Sequence, residues 1–435
     1  MIKPNVYVNT LDYGEIVRQL PGQSLPWLKA FRSRGLDSYL EQGLPSSRDE
    51  EWRYTHLNGL EKNQFAQQAQ KADLAISTDL LERFKLQNAS VCVLVNGYFA
   101  PELSTLDDLP ENIILIPLSE MLADPLLGQP AQDYLGKMVN VNEPGFIRFN
   151  DAWFSDGLFC SIGKNCRLDK PLQFLNLVTE PDSLSCIRNL VVLENGAQAE
   201  IIETYAGVDE SYLQVAVNEV FLHQNASLTF TKVQAEGAKA HHLGGTYIHQ
   251  DNDSRLIHHN FAFGGLVART DLHTDLYQGS ECEMNGLYLG KKRQHLDNHT
   301  RIHHVQSHAC SREYYKGILD QQARGVFQGR VIVAEQAQKT DSSMNNRNLL
   351  LSDRAEADTK PQLEIYADDV KCSHGVTVGQ LDDKSVFYLQ SRGIDEMAAK
   401  NMLTFAFANE MLDQVKHEEL RAQLLELLLQ IFPQQ

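Results

Sequence analysis

Apolar positions along this chain follow two different periods. Up to about residue 90 the pattern is helical and polar. Over Asp73–Lys85, Leu74, Ile76, Leu80, Leu81 and Phe84 recur at helical spacing, after segments punctuated by Pro21, Pro26 and Pro45. Glu51–Trp52–Arg53–Tyr54–Thr55 is a compact aromatic and charged patch. Val91–Val95 is a short apolar run closed by Asn96–Gly97, a turn signal. From Pro101 to Pro144 the chain is rich in proline and reads as a connection with short helical pieces.

Beyond Phe146 the period changes. Strand-like runs follow one another at Leu190–Leu193, Ala199–Glu203, Gln214–Leu222, Ser227–Val233, Tyr247–His249, Arg255–Phe261 and Arg330–Ala334. Turn residues recur ahead of the polar-apolar runs: Asn195–Gly196, Asn225, Asn252–Asp253, Gly279, Ser307 and Glu335. Their spacing, roughly 27–30 residues, is that of stacked repeats and leaves no room for crossover helices. Units of two or three short strands then fit the coils of a β-solenoid, with alternate side chains buried in a narrow lumen. A β-sandwich is the rival.

After Gly393 the helical period returns. Asp395 can cap a helix that begins with Glu396. Met402, Leu403, Ala406, Met411 and Leu412 keep an apolar stripe along it. A second helix from about His417 to Ile431 carries Leu420, Leu424, Leu427, Leu428 and Ile431. The chain thus divides into a helical and mixed N-terminal region (1–145), a β core (146–390) and a C-terminal helical region (391–435). The leucine-rich helical pair serves either packing onto the core or docking of a partner.

Composition narrows the partners. The 435 residues are 43% hydrophobic and 22% charged, enough for a packed core without disulfides. A net charge of −18 argues against nucleic acid or an anionic membrane as the main partner. No apolar run approaches a membrane span, and no export signal opens the chain, so a cytoplasmic location is expected. The 7 cysteines are scattered without a CxxC pair, which reads as reduced thiols. Neither GxxxxGK[ST], GxGxxG nor GxSxG occurs, so no nucleotide is expected to bind by the common devices.

Four polar groups are candidates for chemistry. Of His295, His299, His303, His304 and His308, the residues 295, 299 and 303 would share one face of a helix and could ligate zinc. As a strand, however, His299, Arg301 and His303 point one way and Thr300, Ile302 and His304 the other, a polar ladder without metal. His241–His242 and His258–His259 are adjacent pairs split between opposite faces. Cys372 and His374 would share a strand face, offering a thiolate and an imidazole of the kind that suit iron, copper or zinc. Two ligands do not close a site, so a metal there needs further ligands from elsewhere. Asp368–Asp369 near His374 would suit a β-helical carbohydrate-active enzyme, but neighbouring strand carboxylates splay apart.

The stretch Leu363–Gly375 (LEIYADDVKCSHG) followed by Leu381–Ile394 (LDDKSVFYLQSRGI) strongly resembles the SufD family, subunits of the SufBCD iron–sulfur cluster assembly scaffold. EEWRYTHL beginning at Glu50, FNDAWFSDGLF beginning at Phe149, DNHTRIHH beginning at Asp297 and SREYYKGIL beginning at Ser311 add to it. The resemblance implies a right-handed parallel β-helix with helical regions before and after it. It implies pairing with a SufB-like paralogue through the β-helices, docking of a SufC-like ABC ATPase on the C-terminal helices, and a transient iron–sulfur cluster at the interface. It assigns His374 as the favoured iron or cluster ligand, with Cys372 as the neighbouring thiol. SufB-like sequences carry a TQCDS motif where this chain reads Lys339–Thr340–Asp341–Ser342, without a cysteine. The chain therefore resembles the SufD partner and is expected to be a scaffold, not an enzyme. Self-association in isolation is left open.

Overall fold

The structure is a computed structural model and describes residues 13–57, 60, 65–67, 78–106, 109–139 and 145–432. Six helices belong to its first half: α1 (Tyr13–Gln19), α2 (Pro26–Gln42), α3 (Thr78–Phe84), α4 (Leu118–Ala123), α5 (Gly128–Tyr134) and α6 (Phe146–Trp153). Four short strands lie among them: β1 (Ala66–Gln67), β2 (Ser90–Val95), β3 (Tyr98–Phe99) and β4 (Ile113–Pro117). The stretch read as a helix from Asp73 is helical over α3, while Leu74 and Ile76 lie outside the described residues. The proline-rich connection holds more order than its sequence suggested, because β4 pairs antiparallel with the strand at Leu158.

The remaining strands are β5 (Leu158–Ile162), β6 (Leu172–Val178), β7 (Ser183–Leu193), β8 (Gln198–Gly207), β9 (Leu213–Leu222) and β10 (Ser227–Gln234). Then follow β11 (His241–Gln250), β12 (Arg255–Ala262), β13 (Val267–Leu276), β14 (Glu281–Gly290) and β15 (His295–His304). The series ends with β16 (Cys310–Leu319), β17 (Arg324–Val333), β18 (Asp341–Leu350), β19 (Glu356–Ile365) and β20 (Lys371–Gly379). All seven runs read from the sequence fall within or overlap these strands.

Strands of odd number, from β5 to β19, form one sheet; even-numbered strands, from β6 to β20, form the other. Pairing is parallel within each series, and the registers run without slippage: Ser227 to Arg255, Arg255 to Glu281, Glu281 to Cys310, Cys310 to Asp341, Asp341 to Lys371. Consecutive strands therefore alternate between two faces of a parallel β-solenoid, two strands per coil, which excludes the sandwich.

The turns explain the repeat. Asn165, Asn225, Asp253, His308 and Lys339 adopt left-handed φ of 56°, 59°, 57°, 64° and 64°, and Gly196 and Gly279 complete the column. Asn, Asp and Gly tolerate this region best. Each turn donates a backbone N–H to the next coil: Asn225 to Asn252 (3.1 Å), Asp253 to Gln278 (2.9 Å), His308 to Gln338 (2.9 Å). The column at Gly196, Asn225, Asp253 and Gly279 matches the sequence markers. Further along it shifts, to His308 rather than Ser307 before β16 and to Lys339 rather than Glu335 before β18.

Apolar side chains from both sheets line much of the lumen, including Ile201, Phe230, Met284, Phe327 and Met344. Helices α2 and α6 cover the outer face of the odd-numbered sheet, where Trp153, Tyr39 and Phe149 pack together. Buried charges fasten them: Arg188 pairs with Asp151 at 2.8 Å and Glu219 at 2.6 Å.

Three helices close the chain: α7 (Asp383–Gln390), α8 (Glu396–Leu412) and α9 (Glu418–Ile431). Asp395 caps α8 as expected, accepting the Ala398 N–H at 3.0 Å. Helix α7, capped by Asp382, has no counterpart in the sequence reading. The regular strands end at Gly379, and β2 and β4 of the first 145 residues join the sheets. Helices α8 and α9 lie on the outer face of the even-numbered sheet, where Met411, Leu420, Leu424 and Leu428 meet Ile202, Val233, Phe261 and Ile318. The stripe on α8 is rotated from the one expected: Thr404 and Ala408 are buried, while Met402 and Ala406 are exposed. Among the described residues no helix is long and apolar enough to cross a membrane.

Candidate functional site

The two ends of the solenoid differ. At the last coil β19 and β20 each have a neighbour on one side only. Lys371 donates its N–H inward to Thr340 at 2.8 Å, so alternation turns the N–H groups of Cys372, His374 and Val376 toward the open side. On β19, Glu356 and Tyr366 donate inward, to Ala323 at 3.0 Å and Val333 at 2.9 Å. Pro361 then stands at a position whose N–H would face outward, the usual place for proline on an edge strand.

Cys372 and His374 lie on this terminal strand. Cys372 is in register with Ser342, and His374 with Met344, whose side chain is buried in the lumen. The pair therefore occupies the lumen-facing rows, as the shared strand face required. No further coil covers them: Cys372 is half-buried against the lumen core and His374 is exposed. Burial, with Asp341 nearby, raises the Cys372 pKa, while the Ser342 backbone N–H acts the other way. Behind the thiol, the Ser342 hydroxyl receives that of Ser311 at 2.8 Å, and Ser311 lies 2.9 Å from His304 Nε2. Burial pushes the His304 imidazole down to about 4. Ile365, Tyr366 and Val378 leave apolar surface exposed around the mouth.

Asp368 and Asp369 sit in the exposed turn before β20, and Asp369 pairs with Lys339. This places them on the rim as turn residues. Histidines 295, 299 and 303 project outward from β15, while His304 projects inward, as the strand reading requires. Their surroundings are hydrogen-bonded and ionic. Arg269 lies over the Trp52 ring at 3.7 Å and bonds Asp297 at 3.1 Å, while His299 meets Asp297 at 3.0 Å. Thr55 reaches both His295 (2.8 Å) and Asp297. Burial opposes ionisation of Asp297, but His299 and Arg269 hold its carboxyl well below the usual range. The EEWRYTHL and DNHTRIHH segments thus meet as a strap and its seat. Among the described residues no cluster of three or more His, Cys, Asp or Glu side chains is arranged to hold a metal ion.

The second exposed apolar surface belongs to the C-terminal helices. Phe387, Tyr388, Met397 and Met402 are exposed there, at 70%, 55%, 64% and 44%. A cavity of 590 Å³ lies beside them, lined by Leu351, Leu381, Val386, Met397, Thr404 and Phe432.

A parallel solenoid with an uncapped end, a thiol and an imidazole at its mouth and a helical module on its flank defines a β-solenoid protein with two surfaces suited to partners. Comparison with known proteins gives the family. Residues 176–407 match the SUF system FeS cluster assembly, SufBD core domain, and residues 10–174 the SufBD protein N-terminal region. The iron–sulfur cluster assembly SufBD family protein slr0076 of Synechocystis is 35% identical, over 88% of this chain and 86% of the relative. The iron–sulfur cluster assembly protein SufD of Escherichia coli is 31% identical, over 90% of each. The chloroplastic protein ABCI7 of Arabidopsis thaliana is 28% identical, over 93% of this chain and 86% of the relative. The chain belongs to the SufBD family of iron–sulfur cluster assembly proteins, and within it is SufD-like.

Proposed function

We propose that this chain is a non-catalytic scaffold subunit that completes a cluster-building site with a SufB-like partner docked at the open end of its solenoid. The observation that carries this reading is the terminal coil. It presents an unpaired strand edge, exposed apolar side chains and a thiol–imidazole pair on one surface. An uncovered edge strand of this kind is a template for strand addition. Strand β20, free of proline, is the edge that takes the partner strand, and Pro361 interrupts β19.

The nascent iron–sulfur cluster is the cargo. His374 supplies an imidazole at the interface and Cys372 a thiol, and the partner provides the remaining ligands. The exposed α7–α8 surface around Phe387 and Met397 takes a SufC-like ATPase, which supplies the nucleotide chemistry. The assembly works in the cytoplasm. Without its partner the same open edge can pair two copies of this chain.

Co-purification with SufB-like and SufC-like proteins tests the assembly. His374→Ala is expected to assemble with unchanged stoichiometry and to build no cluster. Full cluster formation on that variant would remove the site assignment. A Phe387→Ser, Tyr388→Ser double variant is expected to lose the ATPase and retain the SufB-like partner.

A further inference from the structure

One lumen-facing row runs the length of the even-numbered sheet: Leu172, Ile201, Phe230, His258, Met284, Glu313, Met344 and His374. Two polar residues interrupt it inside the molecule. Glu313 is 2% exposed and His258 is fully buried. Neither ring nitrogen of His258 has a hydrogen-bond partner in the protein, and the Thr300 hydroxyl is the one hydrogen-bonding side chain acting on the Glu313 carboxyl. The same stretch of lumen holds Asn298 Nδ2 and Asn260 Oδ1, without a partner, although Asn260 donates to Asn298 Oδ1 at 2.8 Å.

So many unsatisfied atoms in one place need an explanation. Buried polar groups are almost always paired, with ordered water where protein offers nothing. A lone buried carboxyl is costly, and methionine, already present on either side, would fill the row without that cost. Burial raises the Glu313 carboxyl to about 7, with Thr300 its principal polar neighbour. The other titratable groups acting around it are Cys282 on β14 and Tyr315 on its own strand, with His258 two strands along the row. Among the described residues no lysine or arginine is a determinant of its charge. Donors and acceptors are mixed, and no set of metal-type ligands is present, which suits water and protons better than an ion.

We propose that the lumen from His258 to the mouth holds internal water, and that Glu313 is a proton acceptor which this water connects to the mouth. The role rests on the reading of the mouth as a partner interface. A thiol that binds metal loses its proton, and a docked partner closes the outward route. The S–H bond breaks, water carries the proton inward past Met344, and an O–H bond forms on Glu313, with no change of oxidation state.

Infrared difference spectra of the full chain, between about pH 5 and about pH 9, test the lumen directly. A protonated-carboxyl band that is lost in Glu313→Gln is expected, titrating near neutral pH and shifting within seconds of mixing into D2O, apart from the bands of the other buried carboxyls that burial raises, Asp156, Glu203 and Asp271. A band unshifted after hours, or a carboxylate ionised throughout, would overturn the proposal. Glu313→Met should leave Tm at neutral pH equal or higher; a clear fall would mean that the carboxyl has a protein partner, against the proposal. On the reconstituted complex, Glu313→Gln should slow cluster build-up several-fold without altering stoichiometry. Unchanged build-up there would remove the acceptor role while the mouth assignment stands. Normal build-up by His374→Ala would remove the mouth assignment, with the infrared result still deciding whether the lumen is hydrated.

Discussion

The first and last coils of the solenoid are built from the same repeat and end differently. At the first coil the sheets finish in antiparallel pieces, β3 on β2 and β4 on β5. Phe99, Leu106, Leu109, Ile113 and Leu115 turn inward there and pack against the lumen core. At the last coil nothing folds back. Both final strands keep their outer edge, and Ile365, Tyr366 and Val378 stay exposed at 41%, 62% and 46%. A chain that can cap one end with its own loops and leaves the other bare has retained an aggregation hazard. The bare end carries Cys372 and His374, so we read the contrast as the division between a stability device and a working surface.

The sharpest way to break this comparison is at His374. The alanine variant should lose cluster formation altogether while its unfolding free energy stays within about 0.5 kcal/mol of wild type, as expected for an exposed side chain without packing. Next is the edge itself. Val376→Pro removes an N–H that faces outward and leaves the ladder to β18 in place, so partner recovery in pull-down should collapse with only modest loss of stability. Pro361→Ala should leave recovery unchanged; a matching collapse there would show that β19, not β20, is the recognised edge.

Stability gives a graded version of the same contrast. Phe327→Ala in the penultimate coil, where the ring is fully buried, should cost about 3–5 kcal/mol in denaturant unfolding. Val378→Ala at the mouth should cost less than about 1 kcal/mol. Intermediate in size is the pH term from Glu313. Its carboxyl is raised in the fold to about 7, so its contribution is complete below the unfolded carboxyl range and is lost as pH rises through about 7. The loss should amount to about 2–4 kcal/mol. Glu313→Gln should flatten the stability profile across that window.

Much of the scaffold was legible because its signals are local. Asn225, Asp253 and Gly279 mark turns whatever lies above or below them, and Leu420, Leu424 and Leu428 define a helix face by spacing alone. The strand reading of Asn298–His304 separated inward from outward histidines correctly for the same reason. Polar strands such as β13 (VARTDLHTDL) and β19 (EADTKPQLEI) gave no apolar run, because their outer faces carry charge. Helix α7 was hidden inside a motif noticed for its resemblance. The stripe on α8 was misplaced because Thr404 and Ala408, a polar and a small residue, make the close approach to the solenoid.

At the site, Cys372 and His374 were legible as a face-sharing pair, and their position at the mouth was not. That position depends on the stack ending at β20 itself. Glu313 and His258 were invisible as a set, since residues 55 positions apart become row-mates only when coils stack in register. The same holds for Trp52 and Arg269, which the strap brings together across half of the chain.

In-register stacking also fixes how the molecule comes apart. Each coil leans on the one before and the one after, and the last coil leans on one alone. Amide exchange should therefore be quickest in β19 and β20 and slow progressively toward β5, a one-sided fraying. A subunit bound at the mouth would act as a second clamp, and its arrival would be felt as slowed exchange several coils inward, well beyond any atom it touches.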